Sequence, residues 1–150
     1  MTIDDYQKVY DLWISTPGMG MRSLDDSEEG IRKFLLRNPN TCFIAESSES
    51  GNSSEAKDTG KTIAGVILSG HDGRRGYIYH AVVRESERGK GTGLALTRAV
   101  EQAMRKEGVN KLALVAYANN ETGNGFWEHA GYSTRPDLVY RNKSINDNNL

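Results

Sequence analysis

Apolar residues recur at helical spacing in some segments of the chain and as short continuous runs in others. Spacing of three and four residues predicts helices, and runs rich in β-branched and aromatic residues predict strands. The predicted helices are one from Thr2 to Pro17-Gly18, one over 26–37, one from the glycines at 89–93 to Gly108, and a short one opening at Asn119-Asn120. The predicted strands cover 41–46, 61–69, 77–83, 111–117 and 133–143. This mixed order indicates an α/β domain.

One polar segment interrupts the predicted domain and another follows it. Residues 47–60 are Ser-rich and acidic and lie between two predicted strands, which is typical of a flexible hairpin loop. Residues 144–150 carry little that could be buried, and we expect a disordered tail there. A chain of 150 residues suits one domain with its own core, which we assign to residues 1–143.

The turn between the strand at 77–83 and the next helix contains three glycines in five residues, Gly89, Gly91 and Gly93. Glycine lets the backbone pass close to a ligand and adopt conformations that a side chain would forbid. The free N–H groups of the first helical turn carry the positive end of the helix dipole, and Arg88 and Lys90 add two cations. This composition predicts a site that holds a diphosphate.

Spacing separates the known types of glycine-rich phosphate loop. A Walker loop needs Ser or Thr after Gly-Lys, but Gly89-Lys90 is followed by Gly91. A dinucleotide fingerprint needs a third glycine where the chain has Leu94, and an acidic residue about twenty positions further on, where residues 110–113 supply none. Both interpretations are poor.

A third pattern matches position for position, namely Arg88, two residues, Gly91, one residue and Gly93. It resembles motif A of the GNAT superfamily of N-acetyltransferases, which binds the pyrophosphate of acetyl-CoA. A second segment, in which Asn120 is followed seven residues later by Trp127 and then by the pair Gly131-Tyr132, resembles motif B of the same superfamily. The chain is therefore identified as similar to this superfamily.

The resemblance implies a GNAT-type fold, a central mixed and mostly antiparallel sheet flanked by helices. It also implies transfer of an acetyl group from acetyl-CoA, as cosubstrate, to a primary amine that attacks the thioester directly in a ternary complex. The amide of Val82 or Val83 would stabilise the oxyanion, and main-chain groups of Ala81 and Val83 would pair with the pantetheine arm. The cofactor-binding residues implied by the resemblance are Ala81, Val82, Val83, Arg88, Gly89, Lys90, Gly91, Thr92, Gly93, Asn120 and Trp127.

The chain departs from the superfamily at the positions that usually supply acid and base. Trp127 stands where the family commonly has a proton-donating Tyr, and Val115 and Tyr77 stand where different members place a Glu. The catalytic candidates that remain are His80, Tyr79 and Trp127, with Tyr117 and Tyr140 as further residues that could line the acceptor pocket. A non-catalytic acyl-CoA sensor is the alternative to an enzyme, and an interaction module is a third option.

A typical member begins with a strand before the first helix, but here the chain starts almost at the helix cap. The first strand is thus predicted to be missing or reduced to Thr2 and Ile3. Either the sheet has one strand fewer, or a partner or the C-terminal segment covers the bare edge, since open edges invite pairing. A homodimer is therefore one expectation.

Composition excludes several other classes of partner. The net charge is −1 and the basic residues are scattered, so no basic face favours nucleic acid. No metal cluster is evident, and no apolar run approaches the about twenty residues of a membrane span. The single Cys42 cannot form an internal disulfide and is interpreted as a buried cysteine rather than a nucleophile. We therefore expect a cytoplasmic protein.

Overall fold

The computed structural model describes residues 1–47 and 62–150. Of the insertion predicted at 47–60, only Ser47 is among the described residues, at the end of a strand. The helices are α1 (Tyr6–Ile14), α2 (Glu28–Arg37), α3 (Thr92–Lys106) and α4 (Glu121–His129). The strands are β1 (Phe43–Ser47), β2 (Thr62–His71), β3 (Gly76–Val83) and β4 (Leu112–Leu114).

The four strands form one sheet in the order β1-β2-β3-β4. The first three are antiparallel neighbours, whereas β4 pairs with β3 in parallel through Gly76–Leu112 and Ile78–Leu114. The crossover from β3 to β4 runs through α3, as a parallel connection requires. The sheet is therefore mixed and mostly antiparallel, which confirms the predicted fold class.

Both faces of the sheet are covered by helices, which explains why β2 is an almost continuous apolar run with eight successive buried residues. One face carries α1 and α2, whose Val9, Trp13 and Ile31 pack against Val66 and Val82. The core on the other face lies beneath α3 and consists of Ile67, Ile78, Leu96, Val100, Met104 and Val109. Within the described ranges, no helix is long and apolar enough to cross a membrane.

The N-terminal end begins with a 3-10 turn at Ile3–Asp5, with a capping box between Thr2 and Asp5. In the part of the chain that the structure describes, no strand precedes α1, and β1 forms one edge of the sheet. The terminal amine of Met1 donates to the Cys42 carbonyl, 3.0 Å away, just before β1. The described sheet thus has one strand fewer at this end than is typical of the superfamily that the sequence resembles.

The prediction of a last strand over 133–143 is wrong, because this segment has no regular structure. Pro136 has no N–H to donate to a ladder. The residues on either side of it, Arg135 and Asp137, form a bidentate ion pair. The Leu138 N–H donates to the Arg135 carbonyl, and this hydrogen bond closes a turn. The apolar side chains that follow, at 138–140, are 61–75% exposed and so gain little from pairing with the sheet.

The last residues contact the segment between α1 and α2. The Ser23 N–H donates to the Leu150 carbonyl, and the Asn149 side chain accepts from Leu24 N–H and donates to the Asp25 carboxylate. These hydrogen bonds join residues more than 120 positions apart in the chain. The end of the C-terminal segment therefore lies on the side of the sheet that carries α1 and α2.

The contrast between the two faces of the helices gives a matched test of the core. Leu12 is 2% exposed in α1, whereas Leu36 is 79% exposed in α2. We expect Leu12→Ala to lower the free energy of unfolding by roughly 3–5 kcal/mol, since it removes transfer energy and leaves a cavity. Leu36→Ala should change it by less than about 0.5 kcal/mol. Denaturant unfolding of both variants measures this, and equal effects would contradict the assigned packing.

Candidate functional site

The predicted diphosphate turn joins β3 to α3. Its backbone uses the left-handed region at Gly89, with φ +73°, and at Gly91, with φ +84°, where Gly91 also caps the helix. Most residues pay a steric penalty there, and glycine does not. A Cβ added at either position would meet no atom within 4 Å, so the space next to the turn is open there. The first N–H groups of α3, a helix of fifteen residues, have no partner within the helix and suit an anion.

The turn is packed closely from behind. A Cβ added at Gly93 would lie 3.0 Å from the Phe126 ring and 3.5 Å from a methyl group of Val83. Glycine at position 93 therefore lets α4 and the end of β3 approach the start of α3. Phe126, which sequence reasoning did not single out, is the aromatic residue of motif B that touches the glycine turn.

Strand β3 has an unpaired edge next to the turn. Its parallel pairing with β4 ends at Ile78 and Leu114, and no other described strand pairs with residues 79–83 on that side. On the other side, the Arg84 N–H donates to the Ala64 carbonyl of β2. Because peptide groups alternate along a strand, those of Val82 face β2, whereas those of Ala81 and Val83 face the open edge. The two residues predicted to pair with pantetheine are thus at the free edge.

The two cations of the turn are both engaged within the protein. Lys90 Nζ lies 3.1 Å from Glu87 Oε1, a carboxylate on a largely buried residue. Arg88 is exposed, and its Nε donates to the Val83 carbonyl at 3.3 Å. Arg88 thus contacts the same open edge of β3 that the site presents.

The motif B residues form the other end of the site. Asn120 caps α4 by accepting the Gly123 N–H through its side-chain oxygen at 2.9 Å. Trp127 is half-buried between the rings of Phe126 and Tyr132, with centroids 5.0 and 5.2 Å away. These contacts place Trp127 against the core beneath α3.

Aromatic residues line the sheet face that carries α2. The Tyr79 ring packs edge-on against Phe34 of α2, with centroids 5.3 Å apart, and lies 4.9 Å from Tyr77. Burial, with Tyr140 and Tyr79 beside it, raises the pKa of Tyr77 above its usual value. This raised pKa keeps the Tyr77 phenol protonated at neutral pH.

The segment after α1 and the segment after β4 meet at Gly20 and Tyr117. A Cβ added at Gly20 would lie 2.7 Å from the Tyr117 hydroxyl, so the two residues are in contact. We call residues 18–22 the acceptor wall, because Gly20 lies against Tyr117, which is predicted to line the acceptor pocket.

His80 is held in an internal pair. Its Nε2 lies 2.7 Å from Oδ1 of Asp26, and the two side chains are 14% and 6% exposed. The Trp13 ring packs against the imidazole, with centroids 5.0 Å apart. Asp26 is buried just before α2, 54 positions away in sequence. Sequence reasoning found His80 but missed Asp26, whose only local signal is an acidic residue at a helix start.

The described residues include Cys42 and side chains that could bind a metal. Burial raises the pKa of the Cys42 thiol, which donates to the Ser69 carbonyl at 3.2 Å, so this cysteine is not an activated nucleophile. No group of three or more metal-binding side chains occurs in residues 1–47 or 62–150. A cleft of about 410 Å³ lies beside Tyr6, Tyr10 and Asp26 rather than at the glycine turn.

The two sequence motifs thus meet at one place, where a strand edge, a glycine turn and α4 converge, which defines an acyltransferase-type site. A sequence model described as "Acetyltransferase (GNAT) family" matches residues 6–132. The chain belongs to this family, as its resemblance predicted. An acetyltransferase of Yersinia pestis (strain Pestoides F) is 27% identical over 144 residues, covering 96% of this chain and 92% of that protein.

Solved structures share the fold at low identity. The NatC complex bound to Gag peptide and CoA aligns with a TM-score of 0.66 at 22% identity, over 83% of this chain and 74% of that one. Glucosamine-6-phosphate N-acetyltransferase of Arabidopsis thaliana aligns with a TM-score of 0.60 at 22% identity, over 97% of this chain and 95% of that one. These likenesses establish the fold of an acetyltransferase.

Tyr132, at the end of motif B, gives a prediction about alkaline stability. Burial, and then the Glu101 carboxylate 3.4 Å from its hydroxyl, raise the pKa of Tyr132 to about 12. An unfolded tyrosine ionises near pH 10, at roughly its reference pKa. The unfolded state therefore loses the proton first, and the stability present below pH about 10 is lost as the pH rises towards 12. Denaturant unfolding should show a steeper alkaline loss for the wild type than for Tyr132→Phe, and parallel curves would contradict it.

Proposed function

We propose that this protein is an acetyl-CoA-dependent N-acetyltransferase that acts on a primary amine by direct attack in a ternary complex. The observation that carries the proposal is the open edge of β3 beside the glycine turn. An extended amide-bearing chain can pair with that edge while a diphosphate contacts the helix N-terminus. A reducing cytoplasm suits its single unpaired thiol, Cys42.

The cofactor-binding roles follow the site from one end to the other. The N–H groups from Gly89 to Gly93 would hold the diphosphate, with Lys90 and Arg88 at its sides. Ala81 and Val83 would pair with the pantetheine amides, which requires the Arg88 guanidinium to leave the Val83 carbonyl. Asn120 would bind the same arm through its side-chain nitrogen, because its oxygen caps α4.

The proposed reaction has one covalent exchange. The neutral amine nitrogen attacks the thioester carbon, and the oxyanion accepts from the Val83 N–H, the member of the pair Val82 and Val83 that faces the open edge. The C–S bond then breaks and CoA leaves as a thiolate, while the amine proton passes to a base. Thiolate release costs only about 2 kcal/mol at pH 7 for a thiol pKa near 8.5, so the absence of an acid at Trp127 is tolerable.

The base is the more demanding requirement. Neutralising a lysine-like amine costs about 4.6 kcal/mol at pH 7, against about 1.4 for an α-amine. We assign this role to His80. Its side chain is paired with the Asp26 carboxylate, and the residue precedes Ala81 at the open edge of β3. Tyr79, 54% exposed on the same sheet face, would line the acceptor pocket with Tyr117 and Tyr140.

The acceptor is to be found by experiment. NatC is named with a peptide and the plant enzyme with an amino sugar phosphate, so a panel should hold a peptide α-amine, a lysine ε-amine, a polyamine and glucosamine 6-phosphate. We expect CoA release with at least one of them. Tight CoA binding without transfer to any amine would instead support a non-catalytic acyl-CoA sensor.

Gly91→Glu should abolish CoA binding. The new side chain would project into the open space in front of the turn, and its carboxylate would repel the diphosphate. Isothermal calorimetry with CoA measures the loss.

Gly108→Glu is the matched control. Gly108 also has positive φ, +73°, and no neighbour within 4 Å of an added Cβ, but it follows the far end of α3. Both variants carry similar backbone strain, so only the position of the charge differs. Unchanged CoA affinity in Gly91→Glu would overturn the assignment of this turn.

A further inference from the structure

Asp26 joins three separate parts of the molecule. Its Oδ1 contacts His80 Nε2 of β3 at 2.7 Å, and its Oδ2 accepts the Arg22 N–H at the end of the acceptor wall at 2.6 Å. Its main-chain carbonyl accepts the Tyr6 hydroxyl of α1 at 3.0 Å. A carboxylate buried to this extent, 5% exposed, is stable only when such donors satisfy it. The position of each of these parts is therefore coupled to Asp26.

The pair with Asp26 also determines which nitrogen of His80 can react. An ionised carboxylate can only accept hydrogen bonds, so Nε2 must carry the hydrogen of the neutral ring. The lone pair then lies on Nδ1, and the contact with Asp26 is the one polar contact that the described residues give this ring. The Trp13 ring restricts rotation of the imidazole from one side. A neutral His80 ring would therefore act as a base through Nδ1.

We propose that Asp26 is a positioning residue for acetyl transfer, which holds His80 as the Nε2–H tautomer and fixes the acceptor wall through Arg22. The inference rests on the proposed function, in which His80 takes the amine proton. His80 immediately precedes Ala81, at the open edge of β3, and Gly20 of the wall contacts Tyr117. One buried carboxylate thereby orients both the base and one side of the space for the amine.

Asp26→Asn separates orientation from folding. The asparagine oxygen can still accept the Arg22 N–H, but its NH₂ group then faces Nε2 of His80 and can only donate. The ring must accept at Nε2 and move its hydrogen to Nδ1, which removes the reactive lone pair. We expect kcat to fall by roughly 10²–10⁴-fold, the contribution of a general base. The melting temperature and the KM for acetyl-CoA should change little.

Asp25→Asn is the matched control. It removes the same charge one residue earlier, where the exposed carboxylate contacts Asn149 rather than His80. We expect wild-type kinetics from it. His80→Gln should match the kcat of Asp26→Asn, since both remove the same base.

Nitrogen NMR of the imidazole rings at pH 8 reads the tautomer directly. The chain has only three histidines, and His80→Gln identifies the signals of His80. We expect hydrogen on Nε2 in the wild type and on Nδ1 in Asp26→Asn. A wild-type ring with hydrogen on Nδ1, or an Asp26→Asn kcat within about threefold of wild type, would overturn the inference. A wild type that acetylates no amine in the panel would overturn the proposed function first, and the inference with it.

Discussion

The site depends on the point at which β4 leaves β3. Parallel pairing covers only three residues of each strand, after which β3 continues for five residues without a described neighbour on that side. Peptide groups at such an edge need partners, from water or from a ligand. The end of this pairing therefore leaves an open strand edge within the folded domain, with which an extended ligand can pair. Such an open edge is otherwise a liability, because it invites pairing with other chains.

The remaining elements hold this divergence in place. The irregularity in the pairing of β2 with β3, between Leu68 and Ser69, leaves Tyr79 without a partner in β2 and turns the strand beyond it. Tyr79 and His80 consequently both point to the face that carries α1 and α2, where they contact Phe34 and Trp13. On the other face, Gly93 lets Phe126 pack against the start of α3. The point at which β3 and β4 stop pairing thus lies between helices that are packed on both faces of the sheet.

Local signals in the sequence were sufficient for the glycine turn and for the helices. The left-handed Gly91 and the cap at Asn120 are decided within a few residues, so a pattern can predict them. The pair of Asp26 and His80 depends on how α2 is placed against β3, and nothing near either residue encodes that distance. The prediction of a strand over 133–143 was wrong because a local apolar pattern was not enough to form one. Its apolar residues favour a strand, but Pro136 and the Arg135–Asp137 ion pair make a turn, and the apolar side chains at 138–140 stay exposed.

The energetics of the proposed reaction agree with where the chain has polar contacts. Releasing a thiolate is inexpensive at neutral pH, about 2 kcal/mol, so the family position of the acid is available for packing. Trp127 lies between two aromatic rings there, in a helix that two glycines, Gly123 and Gly125, weaken by roughly 0.5–1 kcal/mol each. Deprotonating an amine is the larger requirement, and the buried pair that we propose for this step joins β3 to the segment just before α2. The same contact that stabilises the fold at this point therefore orients the group on which the reaction would depend most.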